Sequence, residues 1–217
     1  MEIKVMKNIM NANENLAAGN RAFFRANEIT AMNVMASPGA GKTSVIAKVV
    51  EALRDEISFG VIEGDIASSI DAELFDSMGI PVVQINTGGG CHLDANMIRE
   101  AVSGNKAFEN TVLFIENVGN LVCPSVFDLG EQLKMVIASV PEGHDKPFKY
   151  ISMFEAADVI VLNKMDLMPF IDFDIDKFYS GIHAVNTRAQ VFEVSCKTGS
   201  GFNELSQWIL SVRAKKA

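Results

Sequence analysis

Seven short apolar runs, separated by longer stretches that mostly carry helical spacing, constrain this chain more than any other feature. The runs are Ala31 to Ala36, Phe59 to Ile62, Val82 to Ile85, Val112 to Ile115, Met135 to Ala138, Val159 to Leu162 and Val191 to Val194. Helical patterns fit Thr43 to Arg54, Ile70 to Ser77, Leu93 to Val102, Ile171 to Ile182 and Phe202 to Arg213. Apolar runs without alternation suit strands buried on both faces, so the pattern predicts an α/β fold: a doubly wound, mostly parallel sheet of about seven strands with helices on both faces. With 217 residues and 48% hydrophobic content, the chain can bury a full core. Before the first run, Val5, Met6, Ile9, Met10, Leu16, Phe23 and Phe24 recur at helical steps. Residues 1–28 are expected to form an amphipathic helix of the same domain as residues 29–217. In sheets of this kind ligands bind beyond the carboxyl ends of the strands, so the residues following each run are the candidates for function.

The first run leads into Ala36-Ser37-Pro38-Gly39-Ala40-Gly41-Lys42-Thr43-Ser44 and then a helical pattern. That is the phosphate-loop spacing, with alanine in the first glycine position. The loop and helix start present N–H groups to phosphates, Lys42 reaches the outer phosphates, and the Thr43 hydroxyl suits magnesium. Ala36 fits the first position if its backbone keeps a negative φ. Hard cations want further oxygen ligands. The fourth run ends in Glu116-Asn117-Val118-Gly119, an acidic-x-x-glycine pattern resembling a switch in which the Gly119 N–H senses a γ-phosphate. The second run is followed by Gly64-Asp65 and then Asp71; either aspartate is placed to face the metal or to activate water. Glu116, Asp65, Asp71 and Lys42 are therefore the catalytic candidates.

The sixth run ends in Asn163-Lys164-Met165-Asp166. A carboxylate at Asp166 can accept from both guanine N1–H and its 2-amino group, a pair that adenine lacks, and Lys164 would pack over the ring. Alone this tetrapeptide is a weak signal; behind a phosphate loop, at a later strand end, it selects GTP. Ser195-Cys196-Lys197, after the seventh run, resembles the loop that supports the base, with Cys196 as a small structural residue.

Cys91-His92 follows the third run, and Cys123 lies in the loop after Glu116. If those two strands are neighbours, two thiolates and an imidazole converge, a donor set that suits zinc or nickel. One subunit supplies only these, so water or a second copy would complete the sphere. The odd count of 3 cysteines, with no recognisable leader, points to a reducing cytoplasm. No apolar stretch reaches membrane-spanning length. A net charge of -8 argues against general nucleic-acid binding. His144 and His183 read as surface residues.

The stretches ASPGAGKTS, INTGGGCHLDANMI, FIENVGNLVCPSVFDLGE, PEGHDKPFKYISMFEAADVIVLNKMDL and VSCKTGSGF resemble HypB, the family of GTPases that assist nickel insertion into [NiFe]-hydrogenase. The resemblance runs through nearly all the chain after Thr30. It implies a dimerising phosphate-loop GTPase in which GTP-dependent homodimer formation is coupled to a metal site of Cys91, His92 and Cys123. It also implies the hydrogenase large subunit as client and a HypA-type accessory protein as a source of nickel. Many members begin with a cysteine motif or a histidine-rich tract; here the start, MEIKVMKNIMNANEN, has neither, so supply by a partner is expected. No arginine finger or water-orienting glutamine stands out at the switch, so hydrolysis is expected to be slow.

Three other readings remain open. A urease-accessory GTPase would keep the nucleotide motifs, but its metal motif is Cys-Pro-His, whereas His92 follows Cys91 directly. A phosphate-loop kinase for a small molecule would have little use for NKMD. A nucleotide-gated metal-binding module would bind GTP without releasing phosphate, using the N-terminal helix to dock.

Overall fold

The computed structural model describes residues 2–66 and 68–216, with side chains from residue 11 onward apart from residues 67 and 216. The strands are β1 (Thr30–Ala36), β2 (Ser58–Asp65), β3 (Val82–Asn86), β4 (Thr111–Glu116), β5 (Leu133–Ser139), β6 (Val159–Asn163) and β7 (Gln190–Glu193). They form one sheet in the order β3-β2-β4-β1-β5-β6-β7, with every pairing parallel. The helices are α1 (Glu2–Ala26), α2 (Lys42–Leu53), α3 (Ile70–Ser77), α4 (Ala95–Val102), α5 (Lys146–Lys149), α6 (Ile151–Glu155), α7 (Ile175–Val185) and α8 (Phe202–Lys216).

Strand residues alternate between the two faces of the sheet, as a pleated sheet covered on both faces requires. Met32, Val34 and Ala36 point into a core shared with Val45, Ile46 and Val49 of α2 and Leu205 and Ile209 of α8. Across the sheet, Ala31 joins a core with Phe24 of α1 and Ile98 of α4, while Met35 joins another with Phe154 of α6 and Phe178 of α7. β1 lies at the centre; the chain moves to one side of it for β2 and to the other after β4. The crevice at that reversal is where such sheets bind ligands.

Several expected boundaries shift for local reasons. The helix expected over Ile171 to Ile182 starts at Ile175, because Asp174 Oδ1 accepts from Lys177 N (2.9 Å) and a 3₁₀ turn with Pro169 fills Met165–Phe170. The helix expected from Leu93 starts at Ala95, capped by Asp94 on Met97 N (2.9 Å), while Leu93 buries its side chain without being helical. The seventh strand covers Gln190–Glu193 and excludes Val194. Of the N-terminal apolar stripe, the side chains of Val5, Met6, Ile9 and Met10 lie outside the described residues.

Candidate functional site

The turn after β1 reverses the chain through Gly39 (φ +77°) and Gly41 (φ +101°), conformations open to glycine, and delivers Lys42 to the start of α2. A Cβ on Gly41 would lie 2.5 Å from Asn163 Nδ2, so glycine is also required by close approach. Ala36 ends β1 and is absent from the positive-φ residues, Glu28, Asn110 and Lys164. Beside this turn opens a cleft of about 580 Å³, lined by Gly39, Gly41, Lys42, Thr43 and Ser44, and across from them by Asp65, Asp71, Glu116, Gly119 and Lys164. Ser37 Oγ donates to Glu142, and Ala40 is buried beneath the loop. Gly119 runs close to the loop: a Cβ there would meet Pro38 at 3.0 Å.

Glu116 is the centre of the cleft's electrostatics. Thr43 Oγ1 donates to it at 2.9 Å and Lys42 Nζ stands 3.9 Å away. β2 and β4 pair Glu63 with Glu116, and carboxylate oxygens of Glu63, Asp71 and Glu116 lie within 4.8 Å of one another. Asp65 lines the cleft outside that trio and accepts from Ser68 N (2.7 Å). Glu63 and Glu116 are almost fully buried, and the Oε2 atom of each has no hydrogen-bond partner among the described residues. Burial, then the Glu116 charge, pushes the Glu63 carboxyl up to about 10; burial also raises Glu116. In the free protein the proton on Glu63 serves a hydrogen bond between the two carboxyls; a trio of acids in which two oxygens otherwise lack donors fits a divalent cation. Glu63 is the residue that the sequence reading missed. It sits inside a buried strand rather than at its end, and only the register with Glu116 exposes its place.

The Glu63 shift has a measurable consequence for the free protein. With its native pKa above the unfolded 4.5, Glu63 holds a proton that the unfolded chain releases. Its stabilisation is complete below about pH 4.5 and is lost as pH rises towards about 10. Glu63→Gln keeps the shape without the titration. Thermal melts without nucleotide or metal are expected to show its stability relative to wild type increasing from pH 5 to pH 8, by on the order of 1 kcal/mol per pH unit. A difference that does not change between the two pH values would overturn the assignment.

Next to the phosphate loop, Asn163 Nδ2 donates to Ala40 O (3.0 Å) and Lys164 Nζ to Gly39 O (2.6 Å). Lys164 takes a left-handed backbone (φ +63°), which turns the chain so that Asp166 follows on the same edge. Ser195 Oγ donates to Asp166 Oδ1 at 2.6 Å, and the Cys196 thiol donates to Asn163 Oδ1 at 3.4 Å. Cys196 is raised in pKa, first by burial, which keeps the thiol neutral. Lys197 is exposed on the same loop.

Cys91, His92 and Cys123 also converge, with ligand atoms within 4.8 Å of one another. The premise that β3 and β4 are neighbours does not hold, since β2 lies between them; the loops beyond them bridge the gap instead. From the buried side Asn117 Oδ1 accepts from Leu93 N (3.1 Å) and from Val118 N (3.0 Å), tying the Cys-His loop to the chain leaving Glu116. His92 stacks on Phe127, ring centroids 3.8 Å apart. Partial burial lowers the His92 pKa, which favours the neutral imidazole that ligates metals. A hydrogen bond with Cys123 raises that of Cys91. His144, by contrast, accepts from Asp174 N (3.1 Å) away from either cluster.

Residues 30–193 match the nucleotide-binding domain of the CobW/HypB/UreG family. The hydrogenase maturation factor HypB of Rhizobium leguminosarum bv. viciae is 46% identical over 215 residues, covering 99% of this chain and 72% of that protein. The chain belongs to the HypB family. Two HypB crystal structures share the fold. That of Archaeoglobus fulgidus matches with a TM-score of 0.88 and 37% identity, covering 94% of this chain and 99% of that one. That of Helicobacter pylori, in complex with nickel, gives 0.89 and 33%, covering 94% and 96%. In this HypB chain His92 follows Cys91 directly, in the loop after β3.

Proposed function

We propose that the protein is a GTP-hydrolysing metallochaperone that assists nickel insertion into [NiFe]-hydrogenase, dimerising with GTP and carrying its cargo on Cys91, His92 and Cys123. The observation that carries this is the position of that cluster. Its two loops are joined through Asn117, and Asn117 follows Glu116 directly, so a rearrangement at the phosphate edge reaches the thiols through one side chain. The family membership and the nickel-bound HypB of Helicobacter pylori support the same reading. Residues 1–28 and 29–217 then act as one unit, in the cytoplasm; no helix among the described residues is long and apolar enough to cross a membrane. The client is the hydrogenase large subunit, with nickel handed over by a HypA-type protein.

In this reading the backbone N–H groups of the phosphate loop and Lys42 hold the phosphates, and Asp166 with Lys164 selects guanine. Thr43 and Glu116, with Asp65 or Asp71, would hold magnesium, which would supply positive charge to offset the charge developing on the phosphates in hydrolysis. Asp65 or Asp71 orients the attacking water and takes its proton. Gly119 reports the γ-phosphate by its N–H, and loss of that contact on hydrolysis releases the loop. Val122 and Val126, both more than half exposed, flank Cys123 and offer an apolar rim for a second copy.

The test is mass in solution by light scattering with Ni²⁺ present, comparing GDP with a non-hydrolysable GTP analogue, for wild type and Cys91→Ala. A mass that doubles with the analogue, and metal retention that depends on nucleotide and disappears in the variant, is expected. A monomer throughout that binds GTP but no metal would reduce the protein to a GTPase.

A further inference from the structure

The apolar stripe of α1 accounts for only part of its docked face. Ala17 and Phe24 are buried, but so is Asn20, at 1% exposure, and Asn13 is half-buried at the same helical spacing. Each asparagine bonds backbone on two separate segments. Asn13 Oδ1 accepts from Ala95 N (2.9 Å) while its Nδ2 donates to Asp128 O (2.8 Å). Asn20 Nδ2 donates both to Ala95 O (2.8 Å) and to Leu129 O (2.9 Å). Arg21 completes the set with a paired contact to the Asp128 carboxylate at 2.8 and 2.9 Å. Gly130, at φ +90°, allows the close approach, since a Cβ there would meet Ala17 O at 2.6 Å.

Ala95 follows Cys91-His92 by three residues beyond His92, and Asp128 follows Phe127, the ring on which His92 stacks. One helix therefore clamps the arm bearing Cys91 and His92 to the arm bearing Cys123. We propose that Asn13, Asn20 and Arg21 are positioning residues that set the geometry of the Cys91-His92-Cys123 site. Anything that displaces α1 then changes how that site holds metal. The inference rests on the metal reading of the cluster. Partners that orient metal ligands without touching the metal typically change affinity by about 10- to 100-fold when removed. None of the three side chains lines the nucleotide cleft, so nucleotide binding should be spared.

The probe is Co²⁺, whose thiolate charge-transfer and visible bands report ligand identity and geometry, titrated into the full chain. The variants are Asn13→Ala, Arg21→Ala and Arg21→Lys, each also titrated with a fluorescent GDP. Arg21 is 40% exposed at its side chain, so its variants keep the fold even if Asn13→Ala does not. The expected result is Co²⁺ affinity reduced about tenfold or more in the alanine variants, with shifted visible bands. Arg21→Lys should recover part of the loss, and GDP affinity should match wild type. Unchanged affinity and spectra in the Arg21 variants, or an equal fall in GDP affinity, would overturn the inference while leaving the metal site standing. A wild type that shows no thiolate band would remove the metal reading and this inference together.

Discussion

Replacing Asp166 with asparagine will turn the base preference of the nucleotide site from guanine to xanthine. Asp166 stands at a fixed angle because Ser195 Oγ donates to its Oδ1 (2.6 Å), leaving the other oxygen free to face a base. Guanine presents two donors, N1–H and the 2-amino group, and a carboxylate accepts both. Each charge-assisted hydrogen bond contributes about 1.5–3 kcal/mol. Asparagine keeps the Ser195 bond through its carbonyl but points an N–H at one guanine donor. GTP affinity is expected to fall roughly 10²- to 10³-fold. Xanthine carries an oxygen where guanine carries the amino group, so XTP should bind the variant more tightly than GTP. The contacts of Asn163 and Lys164 to the phosphate loop, at 3.0 and 2.6 Å, remain, so the phosphate end is untouched. Competition binding with GTP, XTP and ATP measures this. If the variant binds GTP and XTP as wild type does, the base does not lie on Asp166.

Much of this could be read from the sequence because the informative signals are local. Parallel strands buried on both faces show as unbroken apolar runs, and a phosphate loop is one turn whose glycines and lysine are contiguous. Element ends set by side-chain caps, such as Asp94 and Asp174, were misplaced because the helical apolar pattern starts before the cap does. α5 and α6 are only 4 and 5 residues long, too short to show a period. Strand order is non-local: the sequence leaves open whether β3 and β4 are neighbours, and β2 separates them. Glu63 is hidden for the same reason: it lies within β2, before the Gly64-Asp65 that closes the strand, and only its pairing with Glu116 makes it part of a trio. Apolar spacing along α1 does not show that Asn13 and Asn20 hold both arms of the Cys91-His92-Cys123 cluster.

Glu116→Gln is expected to uncouple stability from activity in opposite directions. In the free protein Glu116 is a buried carboxylate beside Glu63 and Asp71, with one oxygen lacking any donor among the described residues, and burial raises its pKa. Removing its charge relieves a crowded, desolvated trio; the variant should therefore melt higher than wild type without nucleotide, and Glu63→Gln should gain on wild type as pH rises. The two variants part when MgGTP is added. Glu116 is the acid that Thr43 (2.9 Å) and Lys42 (3.9 Å) address together, so under the proposed function its charge would face the magnesium nucleotide. An amide there supplies a weaker, neutral oxygen. Hydrolysis should fall by on the order of 10²- to 10³-fold, the scale for losing one preorganised electrostatic contact, and the Mg²⁺ dependence of GTP binding should flatten. Glu63→Gln, lacking the Thr43 and Lys42 contacts, should keep more of both. Phosphate-release rates against Mg²⁺ concentration, read beside apo melting temperatures for the two variants, separate the roles. A Glu116→Gln protein that hydrolyses GTP with wild-type Mg²⁺ dependence would move the metal to the Asp65 and Asp71 side of the cleft. Glu116 would then serve only to hold Thr43 and Lys42.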